Sequence, residues 1–145
     1  MPEWETLLWI FFGIVMTAVT VGGIVAMRYM SAENRRYSAE GKLWPALAET
    51  GQPVEGVIRN VRMHPGNMTR GGSAGQTVCA LVFDVDYTDN AGTVHATSIH
   101  TFVEDALVPQ FLQPRKAIHL RYDAGNPAAV AIDRERTPLE IPRVR

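Results

Sequence analysis

Val78-Cys79-Ala80-Leu81-Val82-Phe83-Asp84-Val85-Asp86-Tyr87 carries the clearest two-residue alternation in the chain. Cys79, Leu81, Phe83, Val85 and Tyr87 fall on one face, and Asp84 and Asp86 fall on the other. Successive side chains of a strand point to opposite faces, so the stretch reads as a strand with one side on a core. Asp89-Asn90-Ala91-Gly92 has the composition of a hairpin turn, and Thr93 to Phe102, rich in β-branched residues, is its returning strand. Upstream, Val54 to Met63 reads as a strand with Val57, Val61 and Met63 on one face and Gly56 and Ile58 on the other. The loop from Pro65 to Gln76 between them is too glycine-rich for regular structure.

Downstream, Glu104 to Leu112 reads as a short helix or extended turn before Pro114. Ala117 to Tyr122 alternates again, Asp123-Ala124-Gly125-Asn126-Pro127 turns the chain, and Ala128 to Ile132 closes it. Asp123 is placed to accept main-chain hydrogen bonds in an Asx turn. The expected fold is mainly β: one N-terminal transmembrane helix followed by a small five-stranded antiparallel β-barrel or sandwich over residues 53–133. Residues 134–145, with Pro138 and Pro142 among charges, are expected to form an extended or disordered tail.

The N-terminal third is of another kind. Leu7 to Met27 contains no charge over 21 residues. At 1.5 Å per residue such a helix spans about the 30 Å of a bilayer's hydrocarbon core. The acidic front (Glu3, Glu5), the length of the apolar run and the lack of a small-x-small site distinguish it from a cleaved signal peptide, so it reads as a retained anchor behind a tail of residues 1–6. No Lys or Arg precedes Arg28, whereas Arg28, Arg35, Arg36 and Lys42 follow the span. Positive flanks stay in the cytoplasm, so a single pass with the N-terminus out and the β-domain cytoplasmic is expected. Residues 28–52 continue as a juxtamembrane helix and linker, with Gly41 and Pro45 expected to end the helix. Ala18, Gly22 and Ala26 recur at a spacing of four, with Gly13 and Thr17 as a second small pair. Small residues let two helix backbones approach closely in lipid, so pairing with another membrane protein or with a second copy is expected there.

Composition bounds the rest. The 145 residues are 46% hydrophobic and 20% charged, and 14 basic against 15 acidic residues leave a net charge of -1. No basic excess marks a nucleic-acid partner. The single cysteine, Cys79, excludes a disulfide-stapled scaffold.

Gly51-Gln52-Pro53-Val54-Glu55-Gly56, the hairpin carrying Val85-Asp86-Tyr87 and Gly92, and the close Tyr122-Asp123 followed by Asn126-Pro127 together resemble a bacterial family of unknown function. Its members are small membrane-anchored β-domains with a Gly-x-Pro-x-x-Gly opening strand and a Tyr-Asp-Pro-x-Asn-Pro close; Ala124 stands here at that first proline. The resemblance implies a bacterial cytoplasmic (inner) membrane protein with an all-β domain, and it carries over no catalytic residue.

The candidate chemistry is sparse. His95 and His100, an odd number apart, point to opposite faces of one strand, and His119 is expected opposite Ile118 and Leu120, so no metal site is assigned. Asp84-x-Asp86-x-x-Asp89 lacks the glycine and the closing glutamate of a calcium loop, and its acids are instead expected on a solvated face or against basic residues of a neighbouring strand. Cys79 shares the apolar face and reads as a core residue. Gly71-Gly72-Ser73-Ala74-Gly75 lacks the ending of a phosphate-binding loop.

No catalytic residue, metal or cofactor is assigned, and a small-molecule ligand is not expected. The expected role is a non-enzymatic, membrane-anchored protein-binding or assembly module, an accessory subunit of a bacterial envelope complex. The alternatives are an immunity protein that neutralises a toxin at the membrane, and a metal- or ligand-sensing domain using His95, His100 or His119 with Asp84 or Asp86. Candidate partner-binding loops are Arg70, Gly71 and Gly72 in the glycine loop, and Asp89, Asn90 and Gly92 at the hairpin tip.

Overall fold

A computed structural model describes residues 2–143. The elements run α1 (Glu3–Thr50), β1 (Gln52–Met63), β2 (Thr69–Gly71), β3 (Thr77–Thr88), β4 (Val94–Glu104), a 3-10 turn (Asp105–Leu107), α2 (Val108–Phe111), β5 (Ala117–Asp123) and β6 (Asn126–Ile132). The chain divides into two compact units, one up to Arg35 and one from Arg36 onward. The fold is mixed helix and sheet, so the expectation of a mainly β chain is corrected: α1 alone takes 48 residues.

The first unit is helical and exposed all round from Thr6 to Ala32. It is long and apolar enough to cross a membrane. Thr17 and Thr20 donate their hydroxyls to the carbonyls of Gly13 and Met16, both at 2.8 Å, so each hydroxyl is satisfied within the helix itself.

The second unit is a curled antiparallel sheet, a half-barrel, joined by the last turns of α1. β3 is its spine. Along one edge β3 pairs with the whole of β4, from Val78 opposite Glu104 to Thr88 opposite Val94. Along the other it pairs with β1 and, beyond it, with the short β2. β1 then pairs with β5, and β5 with β6. The glycine-rich loop therefore holds one strand that its composition concealed, because Thr69, Arg70 and Gly71 pair with Cys79, Val78 and Thr77.

The alternation expected on β3 is present: Leu81, Phe83 and Val85 are fully buried and Tyr87 nearly so. They join Ile99, Val103, Phe111, Ile118, Leu120, Tyr122 and Ile132 in the main core. On β1 the expected facing of Val57 with Val61 fails. A bulge between Ile58 and Asn60 inserts one residue, Arg59, so Gly56 and Ile58 face inward before it and Val61 after it, while Val57 and Met63 are exposed. The hairpin turn forms at Asp89–Gly92, where Asp89 and Thr93 pair through their main chains and Gly92 takes a φ of +83° that costs a glycine nothing. The Asx turn also forms, since the Gly125 amide donates to Asp123 Oδ1 at 2.9 Å.

The helix does not end at Gly41 or Pro45. It runs through both to Thr50, and Pro45 sits inside it. Proline removes one helical hydrogen bond and crowds the carbonyl four residues back, here that of Gly41, at about 3 kcal/mol. Tyr37 and Glu40 before it and Leu47 after it are buried in the second unit, and that anchorage offsets the loss. The helix stops at Gly51, whose amide donates to the Leu47 carbonyl at 2.9 Å and where an added Cβ would lie 2.5 Å from that oxygen.

The tail is packed over the part described. Thr137 and Leu139 are buried, and Leu139 belongs to the main core. Residues 144 and 145 lie outside the described residues.

Candidate functional site

Three buried carboxylates organise the second unit. Glu40, on α1 and 6% exposed, lies between the free edges of the half-barrel. Its Oε1 accepts the Ile132 amide of β6 at 2.9 Å, and its Oε2 accepts the Thr101 hydroxyl of β4 at 3.0 Å. Arg134 donates to both oxygens, at 2.8 and 2.6 Å. Glu104, 4% exposed, accepts the Ile141 amide at 2.6 Å and the Arg143 guanidinium at 2.8 Å. Asp133, 1% exposed, accepts Arg121 on one oxygen and the amides of Glu135 and Arg136 on the other. A buried charge is tolerable only when paired and hydrogen-bonded, and each of these is both.

Above Glu40 opens a cleft of about 660 Å³. Its walls are Tyr37, Ser38 and Gly41 of α1, Arg70 of β2, Thr101 and Phe102 at the end of β4, and the tail segment from Arg134 to Pro142. Tyr37 is the fixed point of this wall. Its ring meets His64 at 5.5 Å, His100 at 5.2 Å and Phe102 at 6.0 Å, and it covers Val78, Ala80 and Val82 on the outer face of β3. Arg70 lays its guanidinium 3.8 Å from the centre of the Phe102 ring and donates to Ser38 Oγ at 2.9 Å. The cleft therefore offers a cationic plane, hydroxyls, carboxylates of Glu135 and Glu140, and the apolar faces of Pro138 and Pro142. The lining is thus mixed, with charged, hydroxyl and apolar groups side by side.

The two candidate loops are not brought together. Arg70, Gly71 and Gly72 lie at the start of β3 and Asp89, Asn90 and Gly92 at its end, about 36 Å apart by strand rise. Arg70 enters the cleft, and Gly72 lies beside Glu140, whose carboxylate binds the Ser73 hydroxyl and amide. The hairpin tip is tied down elsewhere: the Asn90 amide donates to the Tyr122 hydroxyl, its side chain to Gln52, and Asp89 accepts the amides of Ala91 and Thr93 and binds His95. In the first unit, a shallow groove on the helix is lined by Ile10, Gly13, Ile14, Thr17, Ala18 and Val21. Ala18 is part of it, whereas Gly22 and Ala26 are turned off it, so the small pair Gly13 and Thr17 forms the concavity.

His95 and His100 lie on opposite faces of β4, as their spacing predicts, whereas His64 and His100 both meet the Tyr37 ring. His95 stacks on Tyr87 of the core face, His100 meets Tyr37 on the outer face, and His119 lies between the buried Ile118 and Leu120. Among the described residues no group of three or more His, Cys, Asp or Glu is arranged to hold a metal. Asp84 and Asp86 meet Arg62 and Arg59 of the neighbouring strand β1, at 3.0 and 2.9 Å.

The Arg62 guanidinium, and then the Ser98 hydroxyl, hold the Asp84 carboxyl below its ordinary range. A carboxyl depressed in the native state adds stability above its unfolded value, about pH 3.9, and that contribution is lost as the pH falls toward the native value. Asp84→Asn should therefore flatten the fall of stability below about pH 4, measured by urea unfolding across pH 2–6.

Cys79 is only half-buried, at the end of the core face, and its thiol binds Asp105. Burial first, and then that carboxylate, push the thiol up to about 11. Since the thiolate is the reactive form, thiol labelling of the native protein at pH 7.5 should be at least tenfold slower than labelling of the unfolded chain. Equal rates would contradict this environment.

Compared with known proteins, the chain matches no protein-family model, no curated protein and no solved structure. Sequence reasoning missed Tyr37, Glu40, Phe102 and Arg134, the residues that build the cleft. One signal was present: Tyr37, Glu40/Gly41, Trp44 and Leu47 follow helical spacing across Pro45.

Proposed function

We propose that the protein is a non-enzymatic binding module held in a bacterial inner membrane by residues 7–27, with the half-barrel on the cytoplasmic side, and that it serves as an accessory subunit of an envelope complex. The cleft is the surface that receives the partner. The observation that carries this reading is Arg70: a guanidinium held over the Phe102 ring at 3.8 Å and bonded to Ser38, in the wall of a cleft of about 660 Å³, is pre-organised for recognition. The apolar run and the basic residues that begin at Arg28 support the anchor and its orientation.

The test is mild-detergent extraction of the tagged full-length chain, followed by mass spectrometry of what co-purifies. Wild type is compared with Arg70→Glu and with a variant carrying leucine at positions 18, 22 and 26. The expected result is a reproducible partner lost with Arg70→Glu and kept in the leucine variant. A partner lost only in the leucine variant would move recognition to the membrane helix, and no partner at all would overturn the assembly role.

A further inference from the structure

Two cations follow the apolar run within the first unit, and both lack a carboxylate partner. Arg28 comes next after Leu7 to Met27, Arg35 lies seven residues on, and both are exposed. On a helix, side chains three or four residues apart meet. Those positions around Arg28 hold Ile24, Val25, Ser31 and Ala32, and around Arg35 they hold Ser31, Ala32, Ser38 and Ala39, so no carboxylate is within reach along the helix. Glu33, the carboxylate between them in sequence, stands two residues from Arg35, off its face, and has a partner of its own. Among the described residues neither arginine enters an ion pair. Seven residues fall about 20° short of two full turns, which puts both arginines on one stripe of α1, about 10.5 Å apart along its axis. Helical side chains lean toward the helix N-terminus, which here is toward the apolar run.

We infer that Arg28 and Arg35 form a binding stripe for the headgroups of acidic phospholipids at the leaflet from which α1 emerges. This rests on the reading of residues 7–27 as the membrane anchor. The headgroup layer is roughly 5–7 Å deep on each side of the hydrocarbon core. Arg28 stands at its inner boundary, and Arg35 leans back toward its outer face, within the distance of about 8 Å over which a charged surface is felt. Long basic side chains turn their heads to this layer, and guanidinium groups suit phosphate because their N–H donors pair with its oxygens. The other end of the span is opposite in charge, since Glu3 and Glu5 precede it and no Lys or Arg does. The preference for acidic lipid therefore belongs to one leaflet.

The experiment places the full-length chain in nanodiscs of phosphatidylcholine and phosphatidylglycerol, with matched acyl chains and in equal amounts, and reads by native mass spectrometry which lipids stay bound. Each cation near an acidic surface favours it by about fivefold. Retained phosphatidylglycerol is expected to exceed phosphatidylcholine by at least about fivefold on wild type, and the excess to fall below about twofold in the double variant Arg28→Gln, Arg35→Gln. Glutamine is as good a helix former as arginine, so the substitution removes charge and leaves the helix. Should the double variant fail to fold, Arg35→Gln alone is read, with the excess expected to fall at least twofold. An even ratio on wild type, or an excess unchanged by the substitutions, overturns the stripe. A chain that incorporates into nanodiscs and shows an even ratio leaves the anchor standing, whereas a chain that does not incorporate overturns both, so the two failures are distinguishable.

Discussion

Glu40→Ala is expected to destabilise the second unit by about 3–5 kcal/mol, the loss typical when one partner of a buried ion pair is removed. The substitution strands three groups at once. Arg134, whose side chain is 27% exposed, loses the carboxylate 2.6 Å away, and the Ile132 amide and the buried Thr101 hydroxyl lose their acceptors. For a unit of this size the change corresponds to a fall in Tm on the order of 15 °C. Glu40→Gln keeps acceptor capacity but not the charge and should lose roughly half as much. Removing Arg134 as well should recover part of the loss, because the cation is then no longer left without its partner. Thermal unfolding of the three variants in one detergent is the check, and a loss under about 1 kcal/mol for Glu40→Ala would show that the edges of the half-barrel hold without it.

Phe83→Ala should cost a similar amount, about 3–5 kcal/mol, for a different reason. Phe83 is fully buried at the centre of the spine strand, with its ring 5.2 Å from that of Phe111. Truncation leaves a cavity whose walls, β1 and β4 on either side of β3, are fixed by continuous pairing and close in only partly. Urea unfolding should show a lower midpoint with an unchanged slope. An unchanged midpoint would mean that α2 collapses into the space.

These two sites differ in how visible they were beforehand. Phe83 lies in a run of alternating residues, and alternation is a local property that needs no knowledge of what the strand packs on. The same holds for the turns at Asp89–Gly92 and Asp123–Asn126, whose residue types act on their own backbone. Glu40 is the opposite case: its partners are 61, 92 and 94 residues away, and nothing near it distinguishes it from a solvated helix charge. Glu104 was hidden in the same way, with partners 37 and 39 residues on, whereas Asp133 binds the amides two and three residues ahead of it as well as Arg121. On the outer face of β3 the alternation marks Asp84 and Asp86 but gives no sign that Val78, Ala80 and Val82 on the same face are covered by Tyr37. At Arg59 a single inserted residue reversed the facing of β1, and a bulge has no reliable mark in a sequence. Pro45 shows why local rules failed along α1, where a stop signal was overridden by side chains buried on both sides of it.

For the candidate site, Arg70 was legible as part of a flexible loop, but its role was not. The glycines around it suggested freedom, whereas pairing to β3 and the Phe102 ring hold it still. The hairpin tip, chosen for the same reason, is bound to Tyr122 and Gln52 at the far end of β3.

The central claim is that the partner is received in the cleft. The most direct measurement is photo-crosslinking in living cells with a benzophenone side chain placed at position 135, an exposed residue in the cleft wall that leaves Arg70 in place, or at position 91, at the exposed hairpin tip, in the full-length chain. The account predicts a discrete, higher-mass adduct from position 135 and none from position 91. Adducts from position 91 alone, or from neither position, would contradict it.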